Sequence, residues 1–200
     1  SIADGSCINA YRITRTWSLT DACSNTTTLT QIINVADTTV PTFTVPNDIT
    51  LNCEDDATDL TLTGDVIDEA DNCAANLEAT YFDSVTAGNC LNETVITRTW
   101  SLSDDCDNTT SFIQTITIID TTAPTFKVPE DTTIECDSDA TDLSNTGDVT
   151  DEMDNCSTGL QAIYSDSIAD GDCANAFSIT RTWSLTDTCD NTTILIQTIN

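Results

Sequence analysis

The sequence repeats itself every 83 residues. The phrase TRTWSL occurs three times, and its tryptophans, Trp17, Trp100 and Trp183, are each 83 residues from the next. A fixed period of this length indicates one structural unit copied in tandem. We therefore divide the chain into the C-terminal part of a truncated repeat (1–36), a complete repeat (37–119) and a nearly complete repeat (120–200). We expect it to be a window from a longer array.

The ten cysteines follow the same period. One repeat is small for a domain, and its hydrophobic core alone gives only a few kcal/mol of net stability. The sequence has no histidine and no Cys-x-x-Cys pair, which favours a disulfide framework over zinc or redox chemistry. We therefore expect an extracellular or cell-surface protein. The cysteines in register are Cys7, Cys90 and Cys173; Cys23, Cys106 and Cys189; Cys53 and Cys136; and Cys73 and Cys156.

The chain is strongly acidic, with 34 Asp and Glu against five Lys and Arg and a formal net charge of −29. Such a chain repels phosphate groups, so it is not expected to bind nucleic acid or an anionic bilayer through charge. No apolar run approaches the roughly 20 residues of a membrane span. The acidic excess has two interpretations, a solvated surface or a set of divalent-cation ligands.

The hydrophobic pattern has a period of two residues. Ile96, Trp100 and Leu102 share one strand face, while Thr97 and Thr99 share the other. This alternation, with abundant Val, Ile and Thr, predicts β-strands. Short antiparallel strands in about 80 residues predict an all-β, Ig-like sandwich. We expect the sandwiches to be joined end to end as a rod. The strands predicted for the complete repeat are 43–53, 64–70, 76–85, 94–103 and 111–119.

Strand directions lead to a prediction for the disulfides. If consecutive strands alternate in direction, loops 54–63 and 86–93 lie at one end of the repeat, and loops 68–73 and 104–108 at the other. Cys90 and Cys106 bracket a strand of about a dozen residues, so they lie about 40 Å apart and cannot bond. Cys7 and Cys23 are expected to stay unpaired within this chain. The predicted bonds are Cys53–Cys90, Cys73–Cys106, Cys136–Cys173 and Cys156–Cys189.

The motifs of the repeat resemble a known family. The linker DTTAP, the TRTW phrase and the pattern Asp-x-Cys-x-Asn are similar to those of HYR-type (hyalin repeat) Ig-like modules. The resemblance is greatest to the version found in long arrays in surface adhesins of Bacteroidota, including giant gliding-motility adhesins, and it covers the whole chain. It implies an Ig-like sandwich, secretion to the outer surface, and a role in a stalk or filament. It identifies no ligand.

The acidic residues gather where one repeat is expected to meet the next. Ca²⁺ takes six to eight oxygen ligands in a flexible geometry, and loops that converge on a linker can supply them. A bound cation would convert repulsion between carboxylates into a rigid joint, so we predict Ca²⁺ at the joints; hydrated acidic loops are the alternative. The candidate ligands are Asp37, Asp68, Asp71, Asp104 and Asp107 at one joint, and Glu54, Asp56, Asp120, Asp151, Asp154, Asp187 and Asp190 at the other.

One arginine and one tryptophan of each repeat share the apolar strand face. We expect the arginines to be partly buried and to meet a carboxylate or an aromatic ring as a structural clamp, with anion or substrate binding as the alternative. We expect the tryptophans to be core anchors, with carbohydrate stacking as the alternative. These residues are Arg15, Arg98 and Arg181, and Trp17, Trp100 and Trp183.

The sequence indicates no catalytic site. It has no histidine, every cysteine has a counterpart in register, and no nucleophile stands beside a base, so we expect no enzyme. The leading hypothesis is a load-bearing stalk repeat of a large extracellular adhesin, whose partners are its neighbouring repeats. The alternatives are a module that binds surface polysaccharide or a partner protein, and a filament that self-assembles laterally. Outer strand faces rich in Thr, Ser, Asn and Asp favour the stalk.

Overall fold

The computed structural model describes residues 1–171 and 176–200, and these residues are almost entirely β-structure. In the first repeat the strands are β1 (Ile2–Asp4), β2 (Tyr11–Thr20) and β3 (Thr26–Val35). In the second they are β4 (Thr42–Thr44), β5 (Ile49–Asn52), β6 (Ile67–Ala70), β7 (Thr80–Ala87), β8 (Thr94–Ser103) and β9 (Thr109–Ile119), with a short helix α1 (Leu60–Thr63). In the third they are β10 (Thr125–Lys127), β11 (Thr150–Met153), β12 (Ile163–Asp170), β13 (Phe177–Thr186) and β14 (Thr192–Ile199), with α2 (Leu143–Thr146).

The second repeat is a β-sandwich. One sheet has four strands in the order β5-β9-β8-β7, and the other pairs β4 with β6 antiparallel. Phe43 from β4 packs with Val66 and with Trp100 and Leu102 from β8. The third repeat has the sheets β12-β13-β14 and β10-β11, and its core contains Phe126, Trp183 and Leu185. The prediction of an all-β, Ig-like sandwich fold is therefore confirmed.

The chain forms two compact units whose limits differ from those of the repeats. The first unit consists of Ser1–Ile49, Ala57–Ser84 and Ile96–Ile116, and the second of Thr50–Asp56, Val85–Val95 and Thr117–Asn200. The first unit therefore holds the core of the second repeat. The second unit holds the third repeat together with the two loops that carry Cys53 and Cys90.

Four of the five predicted strands differ from those observed: β7 covers Thr80–Ala87 rather than 76–85, β9 covers Thr109–Ile119 rather than 111–119, and the other two differ as well. The predicted strand 43–53 is divided into β4 and β5 by Pro46, which has a fixed φ and no N–H to donate to a ladder. Strand β6 begins at Ile67 rather than at 64, because α1 precedes it. The Asp59 carboxylate caps α1 by accepting from the Thr61 N–H, and Gly64, at φ 85°, ends it. A helix of one turn is too short to leave a 3.6-residue pattern.

The three tryptophans differ in burial. Trp100 and Trp183 are each 1% exposed, whereas Trp17 is 58% exposed. The strands of the first repeat form a sheet in the order β1-β2-β3, and no second sheet covers its Trp17 face within the described residues. The expectation that Trp17 is a buried core anchor is therefore wrong for this chain, because burial requires a facing sheet.

Candidate metal sites and disulfide bonds at the repeat junctions

Disulfide bonds join successive repeats. We call the region around the linker that begins at Asp37 the first junction, and the region around the linker that begins at Asp120 the second junction. The Cα–Cα distances of the bonds are 5.0, 6.1 and 5.1 Å, and the bonded residues are 99, 103 and 99 positions apart, which is more than one period. The bonds are Cys7–Cys106 at the first junction, and Cys53–Cys156 and Cys90–Cys189 at the second.

The predicted pairing within repeats is therefore wrong. Cys53 and Cys90 both lie near the start of the linker: the Cys53 N–H donates to the Ile119 carbonyl, and Cys90 lines a cavity with Ile119 and Asp120. However, Cys53 follows β5 and Cys90 follows β7, at opposite edges of the sheet β5-β9-β8-β7. Three strand spacings of about 4.8 Å separate those edges, which exceeds the reach of a disulfide.

The other predicted pairs are wrong as well. Cys73 follows β6 and Cys106 follows β8, and Cys106 is bonded to Cys7 of the preceding repeat while Cys73 is free. The predicted bonds Cys53–Cys90, Cys73–Cys106 and Cys156–Cys189 are all replaced by bonds between repeats, and Cys7, expected to be unpaired, bonds Cys106. In the predicted bond Cys136–Cys173, Cys173 lies outside the described residues. Cys23, Cys73 and Cys136 are exposed free thiols.

The second junction contains a cluster of three carboxylates. Asp120, Asp154 and Asp187 each place a carboxylate oxygen within 4.8 Å of the other two. Asp120 opens the linker, Asp154 follows β11 and Asp187 follows β13. Asp120 and Asp187 are each only 6% exposed. The cluster is therefore built from a single repeat, where its linker meets the ends of two of its own strands.

Backbone N–H groups hold these carboxylates in place. Asp154 Oδ2 accepts from the N–H groups of Cys156 and Ser157 at 2.9 and 2.8 Å. Asp187 Oδ1 accepts from the N–H groups of Cys189 and Asn191 at 2.8 and 2.9 Å. By contrast, Asp120 Oδ2 and Asp154 Oδ1 are buried and have no hydrogen-bond partner. Two buried anionic oxygens without a donor match the needs of a cation that takes oxygen ligands.

The first junction repeats this arrangement with Asp37, Asp71 and Asp104, whose oxygens also lie within 4.8 Å of one another. Asp71 Oδ2 accepts from the N–H groups of Cys73 and Ala74 at 2.7 and 2.9 Å, and Asp71 Oδ1 is buried without a partner. The same chemistry therefore occurs at both junctions.

The electrostatics of the clusters reflect crowded negative charge. Burial is the main cause that raises the pKa of Asp120, and the carboxylates of Asp154, Asp187 and Glu54 raise it further, against one hydrogen bond from the Thr122 N–H. Burial also acts to raise the pKa of Asp104, but hydrogen bonds from Asn108 and the Cys106 N–H outweigh it and lower the pKa. Burial, followed by the charges of Asp37, Asp71 and Asp104, raises the pKa of the Cys73 thiol.

A second grouping at the second junction, of Cys53, Asp120 and Cys156, does not offer a thiolate site. Cys53 and Cys156 are bonded to each other, and a disulfide sulfur is not a thiolate ligand. The ligand set is thus carboxylate oxygen alone, which suits a hard cation such as Ca²⁺ and not zinc.

The remaining candidate ligands lie outside the two clusters. Asp68, Asp107, Asp151 and Asp190 have positive φ angles of 60°, 64°, 57° and 67°, so they occupy left-handed turn positions. An exposed ion pair of 2.6 Å joins Asp151 to Lys127 Nζ. Glu54 and Asp56 are exposed residues of the loop after β5, and Glu54 contributes to the field at Asp120.

Asparagine side chains make hydrogen bonds at the junctions that the sequence interpretation missed. Asn92 Nδ2 donates to the Cys156 carbonyl at 2.7 Å, and Asn9 Nδ2 donates to the Cys73 carbonyl at 2.6 Å. Asn191 Nδ2 donates to the Asp120 carbonyl at 3.1 Å. Asn9 and Asn92 are 83 residues apart, so the period itself carried a signal for them.

Arg98 is a fully buried clamp inside the second repeat. Its Nε and Nη2 donate to both oxygens of Asp83 at 2.8 Å, Nη1 donates to Thr63 Oγ1 at 2.9 Å, and Nη2 also donates to the Ala57 carbonyl at 2.8 Å. Its Cζ lies 4.1 Å from the centroid of the Tyr81 ring. The hydrogen bond with Asp83 raises the pKa of Arg98, although burial opposes it. A side chain with 0% exposure presents no donor to a dissolved ligand.

The clamp recurs in the third repeat. Arg181 bonds both oxygens of Asp166 at 2.8 Å and lies 4.0 Å from the centroid of the Tyr164 ring. Arg15 differs: it is exposed, and its Cζ lies 5.7 Å from the Trp17 ring centroid.

A β-sandwich that is bonded by disulfides to the next copy of itself belongs to the class of extracellular repeat modules. The family described as "HYR-like domain with 4 cysteines" matches residues 41–118, so the second repeat is an HYR-like domain. The resemblance to HYR-type modules found in the sequence is thereby confirmed for this segment. A search of curated proteins found no match. None of the helices among the described residues is long and apolar enough to cross a membrane.

Proposed function

We propose that the chain is a load-bearing segment of the stalk of a large secreted cell-surface adhesin, with no catalytic role. The observation that carries the proposal is that the disulfides run between repeats. At the second junction, Cys53–Cys156 and Cys90–Cys189 act beside the peptide linker at Asp120. Domains joined by one flexible linker move relative to each other by default. Three covalent connections at separate points remove most of that freedom.

The bonds also shorten the covalent path along the chain. Cys106 bonds Cys7 of the preceding repeat, and Cys90 bonds Cys189 of the following one. Only the 16 residue steps from Cys90 to Cys106, which contain β8, connect those two bonds. Tension can therefore pass along one strand that is already extended. The other residues of the repeat bear no load, so their unfolding would add little length. This property suits a stalk under force.

We further propose that Ca²⁺ binds at each junction. Asp120, Asp154 and Asp187 would hold it at the second junction, and Asp37, Asp71 and Asp104 at the first. The buried oxygens of Asp120 and Asp154 that lack donors support this assignment. The ion would neutralise the crowded carboxylates and fix the linker to the base of its own repeat. The disulfides would then fix that base to the preceding repeat.

Small-angle scattering of the chain, with and without reductant, tests the stalk proposal. Because the disulfides restrict each junction, we expect reduction to broaden the distribution of distances within the molecule while circular dichroism still shows β-structure. A distribution that reduction leaves unchanged would count against disulfides as the source of stiffness. The matched control is protein that is alkylated without prior reduction, because it meets the same alkylating reagent while its disulfides stay intact.

A further inference from the structure

The period allows each free cysteine to be compared with a bonded equivalent. Cys136 lies 83 residues after Cys53 and follows the same phrase of the repeat. Cys53 is partly buried and bonded to Cys156, whereas Cys136 is exposed and free. The neighbouring apolar side chain differs in the same way: Leu51 is buried at 8% exposure, and its equivalent, Ile134, is only partly buried.

The surface around Cys136 contains a cavity of about 370 Å³. Ile134, Cys136, Phe177, Ser178 and Asn200 line it. Their equivalents one period earlier belong to the end of the second repeat that carries Cys53. There the third repeat covers the surface, and Asn155 Nδ2 lies 3.5 Å from Cys53 Sγ. The two repeats thus present the same kind of end, which is covered in the second repeat and, among the described residues, uncovered in the third.

The covered end shows what kind of partner fits. The base of the third repeat presents the loop Asp154–Asn155–Cys156–Ser157 and the loop Asp187–Thr188–Cys189. Asn92 Nδ2 contacts the Cys156 carbonyl at 2.7 Å and the hydroxyls of Ser157 and Thr188 at 3.3 Å each. Recognition therefore combines a disulfide with polar contacts to two loops of the type Asp-x-Cys.

We propose that the surface around Cys136 docks the base of a further tandem repeat of this type, and that Cys136 bonds the cysteine of that repeat equivalent to Cys156. The bond forms by oxidation of two thiols, with the two electrons and two protons passing to the disulfide-forming oxidant of the secretory compartment. Cys73, at the base of the second repeat, supports the same pairing of a Cys53 equivalent with a Cys156 equivalent. It is equivalent to Cys156, its carbonyl already accepts from Asn9, and its thiol is free. The inference rests on the proposed function only in that both concern a tandem array.

The test uses the full chain followed directly by a second copy of residues 118–200, which preserves the period. Both proteins are oxidised, free thiols are alkylated, and the disulfides are mapped by mass spectrometry without reduction. In the original chain we expect Cys136 to be alkylated. In the extended chain we expect Cys136 to bond the added cysteine equivalent to Cys156. The Cys53–Cys156 bond serves as an internal standard for correct folding.

The matched control is Cys136→Ser in the extended chain. We expect it to expose the added equivalent of Cys156 to alkylation while Cys53–Cys156 persists. Three results would overturn the proposal: alkylation of Cys136 in the extended chain, a Cys136–Cys173 bond, or a bond from Cys136 to a second molecule. Loss of the Cys53–Cys156 bond in the extended chain would also overturn it, because the pairing rule itself would fail. None of these results depends on stiffness, so the stalk proposal is tested separately.

Discussion

The carboxylate of Asp154 accepts a 2.9 Å hydrogen bond from the backbone N–H of Cys156, the residue bonded to Cys53. Asp187 stands in the same relation to Cys189, at 2.8 Å. Two of the three proposed cation ligands at the second junction are thus each two residues from a cysteine that joins the repeats. The pattern Asp-x-Cys therefore places a proposed cation ligand and a covalent link between repeats in the same loop, and a change in one is expected to affect the other.

Calcium should stabilise the chain at both junctions, and Asp154→Asn should abolish the part of this effect that arises at the second junction. The asparagine can still accept from the Cys156 N–H through its carbonyl oxygen, but it removes an anionic ligand. At a calcium concentration 100 times Kd, mass action predicts about 2.7 kcal/mol of stabilisation for the wild-type site. Differential scanning calorimetry in calcium and in EDTA measures it. Asp137→Asn, which removes an exposed charge outside both clusters, should leave the calcium response intact.

Asp120→Asn should have effects of opposite sign in the two conditions. In EDTA it removes a buried charge that has an oxygen without a donor, so we expect a higher Tm than that of the wild type. In calcium it removes a ligand, so we expect a lower Tm than that of the calcium-bound wild type. The same calorimetry measures both. A lower Tm in both conditions would argue that Asp120 has a purely structural role and that the cluster is not a cation site.

Thiol mapping should divide the nine cysteines that the structure describes into two sets. Without reductant, Cys23, Cys73 and Cys136 should be alkylated, because they are exposed and free. The six bonded residues should be protected and should appear as cross-linked peptides that join different repeats. Detection of Cys53–Cys90 or Cys156–Cys189 peptides would show that the bonds lie within repeats and would remove the basis for the stalk.

Replacement of Arg98 by lysine should destabilise the second repeat strongly. Lysine cannot reproduce the two bonds to Asp83 together with those to Thr63 and the Ala57 carbonyl. Breaking a buried ion pair costs about 3–5 kcal/mol, and a cost at the lower end is expected because Asp83 is partly exposed. Urea denaturation measures the loss. Arg12→Lys, at an exposed position, is the control and should change the free energy of unfolding by less than about 0.5 kcal/mol.

The sequence was informative where the physics is local or periodic. Strand β8 has the predicted limits, 94 and 103, because alternation around Trp100 is uninterrupted. The partners of Arg98 are a carboxylate and an aromatic ring, which the charge balance and strand parity had indicated. The positions of the acidic residues beside the linkers predicted where the clusters lie. Only six of the twelve candidate ligands come together, in two groups: Asp37, Asp71 and Asp104, and Asp120, Asp154 and Asp187.

Alternating strand directions could not predict the cysteine pairing. Strand direction fixes the end of a repeat at which Cys53 lies, but it fixes neither the edge of the sheet nor the repeat that supplies the partner. The strand order in the sheet places β9 and β8 between β5 and β7, and this excludes Cys90 as the partner of Cys53. No sequence pattern within one repeat records that order, so bonds between repeats became visible only in the fold.

Force spectroscopy tests the central claim, that bonds between repeats carry the load, most directly. With handles on Ser1 and Asn200, the shortest covalent path runs from Ser1 to Cys7, from Cys106 back to Cys90, and from Cys189 to Asn200, which is 33 residue steps. At about 3.5 Å per residue, the oxidised chain should stop extending at about 12 nm, and the reduced chain should reach about 70 nm. Extension of the oxidised, alkylated chain to about 70 nm would contradict the account.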